Sequence, residues 1–243
     1  MTARRRRGTQ RALRVLISAG PTREPIDPVR FLSNYSTGYM GAQLAAEALA
    51  RGHRVTVVCG PGVEPMPPGA RVLPVEQAAE MEQVLRRNAG RADLIIMAAA
   101  VSDFRAARVA AAKLPRQPQS LIRLRATPDI IARLPRRPRQ LRVGFALESG
   151  RVVPRAQRKL RRKHLDLLLA QRVNGHGAPF GRARVRAWLL SRPTSPTAHG
   201  GRGQGSLVAD LGTLSKRQVA RVLLDKLEAL WYGQPRLANT RCA

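Results

Sequence analysis

The sequence predicts a doubly wound α/β fold: a mostly parallel, Rossmann-like sheet with an antiparallel or edge extension. Three observations predict it. Short apolar runs alternate with segments of helical periodicity, the pattern of βαβ units. The strand-like runs at 15–20 (VLISAG) and 93–99 (DLIIMAA) are apolar without interruption, as strands buried on both faces are. A late segment, 182–190, alternates apolar and polar residues, as an edge or antiparallel strand does.

The elements follow in order. Residues 15–20 read as a buried strand ending in a small-residue turn. A helix over 37–52 carries Met40, Leu44, Ala45, Ala48 and Leu49 at helical spacing and closes at Arg51-Gly52-His53. Strands are expected at 54–58 and 72–75, a helix at 78–87 and the buried strand at 93–99. The second half repeats the theme: strand 121–125, short helix 128–134, strand 142–147, helix 154–163 and strand 165–170. Residues 194–205 are rich in Gly, Pro and Ser and read as a mobile loop. Ser215 then caps a helix to about residue 231. The expected organisation is a basic, disordered arm over 1–14, one domain over 15–231 and a tail over 232–243.

Composition narrows the class. Of 243 residues, 44% are hydrophobic and 24% charged, which is ordinary globular usage. The longest apolar run, 94–101, is far short of the ~20 residues that cross a membrane. Two cysteines, Cys59 and Cys242, fit a reducing compartment and no zinc site, so a cytoplasmic location is expected. The formal charge of +29 stands out. Only five of the 44 basic residues are lysines, at 113, 159, 163, 216 and 226. Two explanations compete: binding to nucleic acid or polyphosphate, or a coding bias that writes arginine for any solvated cation. Aromatic content of 4% is poor for base stacking.

The common phosphate motifs are missing. No glycine precedes a lysine, so there is no P-loop; no GxGxxG follows the first strand; HExxH and GxSxG are absent. Instead, sixteen residues (21–36) separate the first strand from the first helix, where ~2–6 are usual. Such a loop overlies the carboxyl ends of the strands, where open α/β sheets bind ligands. Three prolines stiffen it. Arg23 and Arg30 supply guanidinium forks, Asn34 an amide, and Ser36, Thr37 and Gly38 sit at a helix N-terminus. An ordered surface loop is the plainer alternative.

These residues carry a resemblance. The loop AGPTREPIDPVRFLSNYSTGYMG resembles the opening loop of phosphopantothenoylcysteine synthetases, commonly TAGPTREPIDPVRFISNRSSGKMG. AAAVSDFR (98–105) is similar to AAAVADFR, TPDII (127–131) to NPDIL, VGFALES (143–149) to VGFAAET, AQRKLRRKHLD (156–166) to AxxKLxxKxLD, and LSKRQVA (214–220) to the closing SKxExA helix. Lys113 falls on the first lysine of the family's KIKK stretch.

The resemblance implies a ligase of coenzyme A biosynthesis. The carboxylate of 4'-phosphopantothenate attacks the α-phosphate of CTP (ATP in eukaryotic members), pyrophosphate leaves, and the cysteine amine then displaces CMP from the acyl-cytidylate. Mg2+ is expected with the triphosphate, though no metal ligand is assigned. It implies that Lys113, Lys159 and Lys163 contact the triphosphate. Three of only five lysines stand there; Lys159 and Lys163 share a helix face, a solvated basic face being the alternative. It implies that Asn34 contacts the acyl carbonyl and that Arg30 serves conversion of the intermediate. It implies that Asp103, Pro128, Asp129, Ile130 and Phe145 contact the nucleotide, Phe145 being otherwise a core residue. It implies that Ser36, Thr37, Gly38, Ala99 and Ala100 make room for and bind substrate. Tyr39, Thr127 and Gln171 depart from the family's usual lysine, asparagine and asparagine, which bears on nucleotide choice. A homodimer is implied. Many relatives are fused behind an FMN-dependent decarboxylase; only fourteen residues precede the first strand here, so a stand-alone synthetase with a separate decarboxylase is expected.

Two other functions compete. Residues 133–163 hold twelve basic residues against one acid, Glu148, which suits a nucleic-acid-binding protein on a retired synthetase scaffold. A nicotinamide-dependent reductase rests on the fold alone and lacks its glycine fingerprint.

Overall fold

A computed structural model describes residues 11–117, 121–173, 179–192 and 207–233. The first strand, β1 (Arg14–Ala19), leads into a hairpin of β2 (Arg23–Pro25) and β3 (Phe31–Ser33), then α1 (Tyr39–Ala50). There follow β4 (Arg54–Cys59), β5 (Arg71–Pro74), α2 (Ala78–Ala89) and β6 (Leu94–Met97). A second small hairpin pairs β7 (Phe104–Ala106) with β8 (Leu124–Ala126). The remainder is α3 (Ile130–Arg133), β9 (Leu141–Glu148), α4 (Val152–Arg162), β10 (Leu167–Arg172), β11 (Val185–Ser191), β12 (Leu207–Leu214) and α5 (Lys216–Tyr232).

Eight strands form one sheet in the order β12-β11-β10-β9-β6-β1-β4-β5. The strands from β10 to β5 run parallel; β11 alone opposes them, pairing antiparallel with β10 on one side and β12 on the other. The predicted class is therefore the observed one. Alternation along the strands divides the core into two layers. Val15, Ile17, Val143, Leu167 and Leu169 pack with α1 and α5 through residues such as Leu44 and Leu223. Leu16, Ile95 and Leu168 pack on the other face with Met81, Ile130 and Leu160. From β1 the chain moves to β4 on one side, while β6 lies on the other, so a crevice opens between them at the strands' carboxyl ends.

Several expectations change. Residues 11–14 are not part of an arm: Leu13 is fully buried, Arg14 opens β1, and Arg11 and Arg14 both pair with Asp93, at 3.1 and 3.3 Å. Residues 1–10, the 194–205 loop and nearly all of the tail lie outside the described residues, although α5 extends to Tyr232, whose hydroxyl donates to the Arg11 carbonyl at 2.9 Å. The first helix starts at Tyr39, two residues later than predicted, because Gly38 is left-handed (φ 86°). Strand 121–125 shifts to β8, outside the main sheet, since it pairs only with β7. The alternating segment is antiparallel but internal; the edge is β12, which the sequence reading missed. Ser215 caps α5 as expected, accepting from the Gln218 N–H at 3.3 Å while Gln218 Oε1 accepts the Ser215 N–H at 2.9 Å. No described helix is long and apolar enough to cross a membrane.

Candidate active site

The crevice opens into a cavity of about 640 Å³. Its floor is the end of β6 and the segment after it. Ala99 and Ala100 line it, the Ala99 N–H donating to Ser18 Oγ at 3.2 Å and the Ala100 N–H to the Gly20 carbonyl at 2.9 Å. These bonds hold a backbone wall whose small side chains leave the space open. A Cβ at Gly60 would stand 1.8 Å from the Pro21 carbonyl oxygen, so only glycine lets the loop after β4 approach the turn after β1 this closely.

The long loop supplies one side. Asn34 Nδ2 donates to the Ala100 carbonyl at 2.8 Å, which fixes the side chain; its second N–H and its Oδ1 are left for a ligand. Ser36 and Thr37 line the cavity and accept from the N–H groups of Gly38 and Tyr39 at 3.4 and 3.3 Å. Gly38 itself does not line it; its left-handed turn sets the start of α1.

The opposite side comes from α3 and α4. Pro128, Asp129 and Ile130 line the cavity beside Asp103, Lys159 and Lys163. Lys163 Nζ pairs with Asp129 at 2.9 Å. Burial pulls the Lys159 ammonium below the usual lysine range, Lys163 adds to this, and Glu148, Asp103 and Asp129 oppose it. Phe145 does both things the sequence allowed: it packs against the α1/α5 core and reaches the cavity. Of the departures, Tyr39, Thr127 and Gln171 all line the cavity. The Thr127 hydroxyl donates to the Ser102 carbonyl, while its N–H donates to the Asp103 carbonyl at 2.9 Å.

Three expected cations do not reach this cavity. Arg23 stacks on the Phe31 ring, 4.6 Å from its centroid. Arg30 is taken up by Asp27, with Nε donating to Oδ2 at 2.9 Å, and by the Leu114 carbonyl. Lys113 precedes that leucine, on the loop that Arg30 holds, and does not line the cavity of its own chain. The cavity is also lined by residues that the sequence reading did not assign to the site: Arg162, Phe180, Gly181 and above all Lys216. Lys216 stood in the LSKRQVA segment that resembles the closing SKxExA helix, but a lysine opening a capped helix ordinarily marks a solvated face. Among the described residues no three His, Cys, Asp or Glu side chains could together hold a metal ion. Asp103 brings a carboxylate, a side chain of the kind that magnesium commonly takes as a ligand, to the cavity wall.

Known proteins agree with this architecture. The family model described as DNA/pantothenate metabolism flavoprotein C-terminal domain matches residues 10–230. A cysteine/cysteine sulfinic acid decarboxylase from an unknown prokaryotic organism is 40% identical over 202 residues, covering 82% of this chain and 56% of that protein. The coenzyme A biosynthesis bifunctional protein CoaBC of Escherichia coli K12 is 42% identical over 168 residues, covering 67% of this chain and 41% of that protein. The chain thus spans about half the length of these relatives. The crystal structure of the C-terminal domain of a CoaBC superposes with a TM-score of 0.72 at 30% identity, covering 91% of this chain and 97% of that one. A Cab2 mutant in complex with phosphopantothenate-cysteine shares the fold, with a TM-score of 0.65 at 18% identity over 89% of this chain and 88% of its own.

Proposed function

The chain belongs to the family of DNA/pantothenate metabolism flavoprotein C-terminal domains, and from that premise we propose that it is a phosphopantothenate–cysteine ligase using CTP. The observation that carries this reading is a single cavity at the sheet's switch point that joins the Asn34 amide, the open Ala99–Ala100 wall and the Lys159–Lys163 ammonium groups.

The chemistry explains why these groups belong together. A carboxylate is a poor acyl donor, so its oxygen first attacks the α-phosphate of CTP and pyrophosphate leaves. Both reactants are anions; Lys159 and Lys163 lower their mutual repulsion. The cysteine amine then adds to the acyl carbon. Charge builds on the carbonyl oxygen, where the free N–H of Asn34 donates, and CMP departs as the carbonyl re-forms. Phe145 and the 128–130 turn flank the nucleotide. Magnesium, when bound, would screen the triphosphate. In this reading the protein works as a homodimer, and Arg30 and Lys113 act from the rim of the site, near the subunit boundary.

The test is pyrophosphate release from CTP, ATP, GTP and UTP, each with and without 4'-phosphopantothenate. Release that needs the pantothenate substrate and is fastest with CTP supports the proposal. No release with any nucleotide overturns it.

A further inference from the structure

The reading above places cations on one side of the sheet only, yet the cavity has another side. Lys216 opens α5, is 5% exposed and lines the cavity. Its position is unfavourable twice over. Burial penalises the ammonium, and the N-terminus of a 17-residue helix already carries partial positive charge. No ion pair joins Lys216 to any described residue; Glu64, which favours its charge from a distance, is engaged with Arg182 at 3.8 Å. Burial brings its pKa down to about 8, so the group is still largely charged at neutral pH and gains from any anion that reaches it.

Gln171 faces the same layer. It continues the alternation of Leu167 and Leu169, which pack toward α1 and α5, and it too lines the cavity. It is 4% exposed, and its amide nitrogen has no hydrogen-bond partner among the described residues. A buried amide N–H without a partner costs free energy in the empty protein. Both orphaned groups, the Gln171 amide nitrogen and the Lys216 ammonium, are donors, and no described residue supplies either with a hydrogen-bond acceptor.

We propose that Gln171 and Lys216 form a phosphate-binding donor pair on the α1/α5 side of the cavity, opposite Lys159 and Lys163. The cavity then holds one phosphate-bearing group on each side of the sheet. Only the identity of the phosphate's carrier rests on the ligase reading. That carrier is either the nucleotide or the phosphorylated pantothenate.

Calorimetric titration separates the cases. Inorganic pyrophosphate, CTP and 4'-phosphopantothenate are titrated separately into the full chain as wild type, Lys216→Met, Lys216→Arg and Gln171→Leu. Lys216→Met should lose about tenfold or more in affinity for pyrophosphate and for one of the two substrates, but not the other. Gln171→Leu should lose less for the same ligand, and Lys216→Arg should retain most of the binding. The substrate that weakens identifies the carrier. If the wild type binds pyrophosphate but neither substrate, the ligase reading fails while pyrophosphate still decides the pair. Methionine keeps the stem and removes a buried cation, so Lys216→Met should melt no lower than wild type. Should it fold poorly, Gln171→Leu decides. No pyrophosphate binding by the wild type, or equal binding of every probe by wild type and variants, overturns the proposal.

Discussion

Arg30 clamps the backbone of Leu114, its Nη2 donating to the Leu114 carbonyl at 2.8 Å while the Asp27 carboxylate beneath accepts the Leu114 N–H at 3.1 Å. The Ala110 N–H also donates to the Ile26 carbonyl at 2.9 Å. Arg30 therefore orients the loop that carries Lys113. In the ligase reading, Arg30→Ala and Lys113→Ala should each lower kcat/KM by about ten- to a hundredfold, roughly 1.4–2.7 kcal/mol. The double variant should be little worse than either alone. Fully additive losses in steady-state kinetics would show that the two residues act independently.

Asp27 makes the same clamp pH-sensitive. The Arg30 guanidinium holds its carboxyl well below the usual carboxylate range, against the effect of burial and with help from the N–H groups of Val29, Leu114 and Arg30. A carboxyl depressed in the fold contributes stability above its unfolded pKa of about 3.9 and loses it as the pH falls further. The urea-unfolding gap between wild type and Asp27→Asn should be constant from about pH 7 to 5 and shrink below about pH 4. A gap that persists undiminished to pH 2 would refute this account.

Asn34 should matter to the reacting carbonyl more than to the nucleotide. Asn34→Ala is expected to slow product formation by about 10²–10³, or ~2.7–4 kcal/mol, the usual cost of losing one oxyanion donor. CTP affinity should be unchanged. Unaltered turnover would remove Asn34 from the reaction.

Lys159 gives nucleotide binding its own pH profile. Burial first, then Lys163, lowers its pKa, so it loses its proton at a lower pH than an ordinary lysine. CTP affinity should fall with rising pH along a limb centred below the ordinary lysine value of about 10.4. Lys159→Arg should remove that limb, and Lys159→Met should cost about tenfold at pH 7. An identical profile in Lys159→Arg would assign the limb elsewhere.

Arg142 is buried inside the α3–β9 junction, where its guanidinium donates to the carbonyls of Ile131 and Leu134 at 3.3 and 3.0 Å and to Gln140. Arg142→Met should strand these acceptors at about 1–3 kcal/mol each. A melting temperature lower by several degrees, with weaker CTP binding because the 128–130 turn loosens, is the expected result. A variant as stable as wild type would show that the junction holds without it.

The layered sheet was legible because its central strands, such as Leu94–Met97, are apolar on both faces and admit no other setting. The two hairpins were not, because Arg23–Pro25 and Phe104–Ala106 are three-residue strands whose side chains include charged groups. The edge strand Leu207–Leu214 was hidden by its largely exposed, irregular pattern. At the site, Asn34, Lys159 and Lys163 were found through recognisable motifs and do share one cavity. Arg30 and Lys113 were placed there too, yet Arg30 is neutralised by a carboxylate three residues away. Gln171 was noted as a departure and Lys216 stood in the LSKRQVA segment, yet neither was assigned a ligand, because their significance lies in burial imposed by distant segments.

The cavity also draws on segments far apart in the sequence, from Asn34 in the loop after β1 to Lys216 at the start of α5, which docks on α1 through Arg51 with Glu47, Asp225 and Glu228. During synthesis, then, the pocket stays half-walled until α5 has cleared the ribosome and settled back against α1, made well before it. A chain that has reached α4 but not yet α5 holds Lys159 and Lys163 without the opposing wall, so a complete binding site waits for α5 to dock.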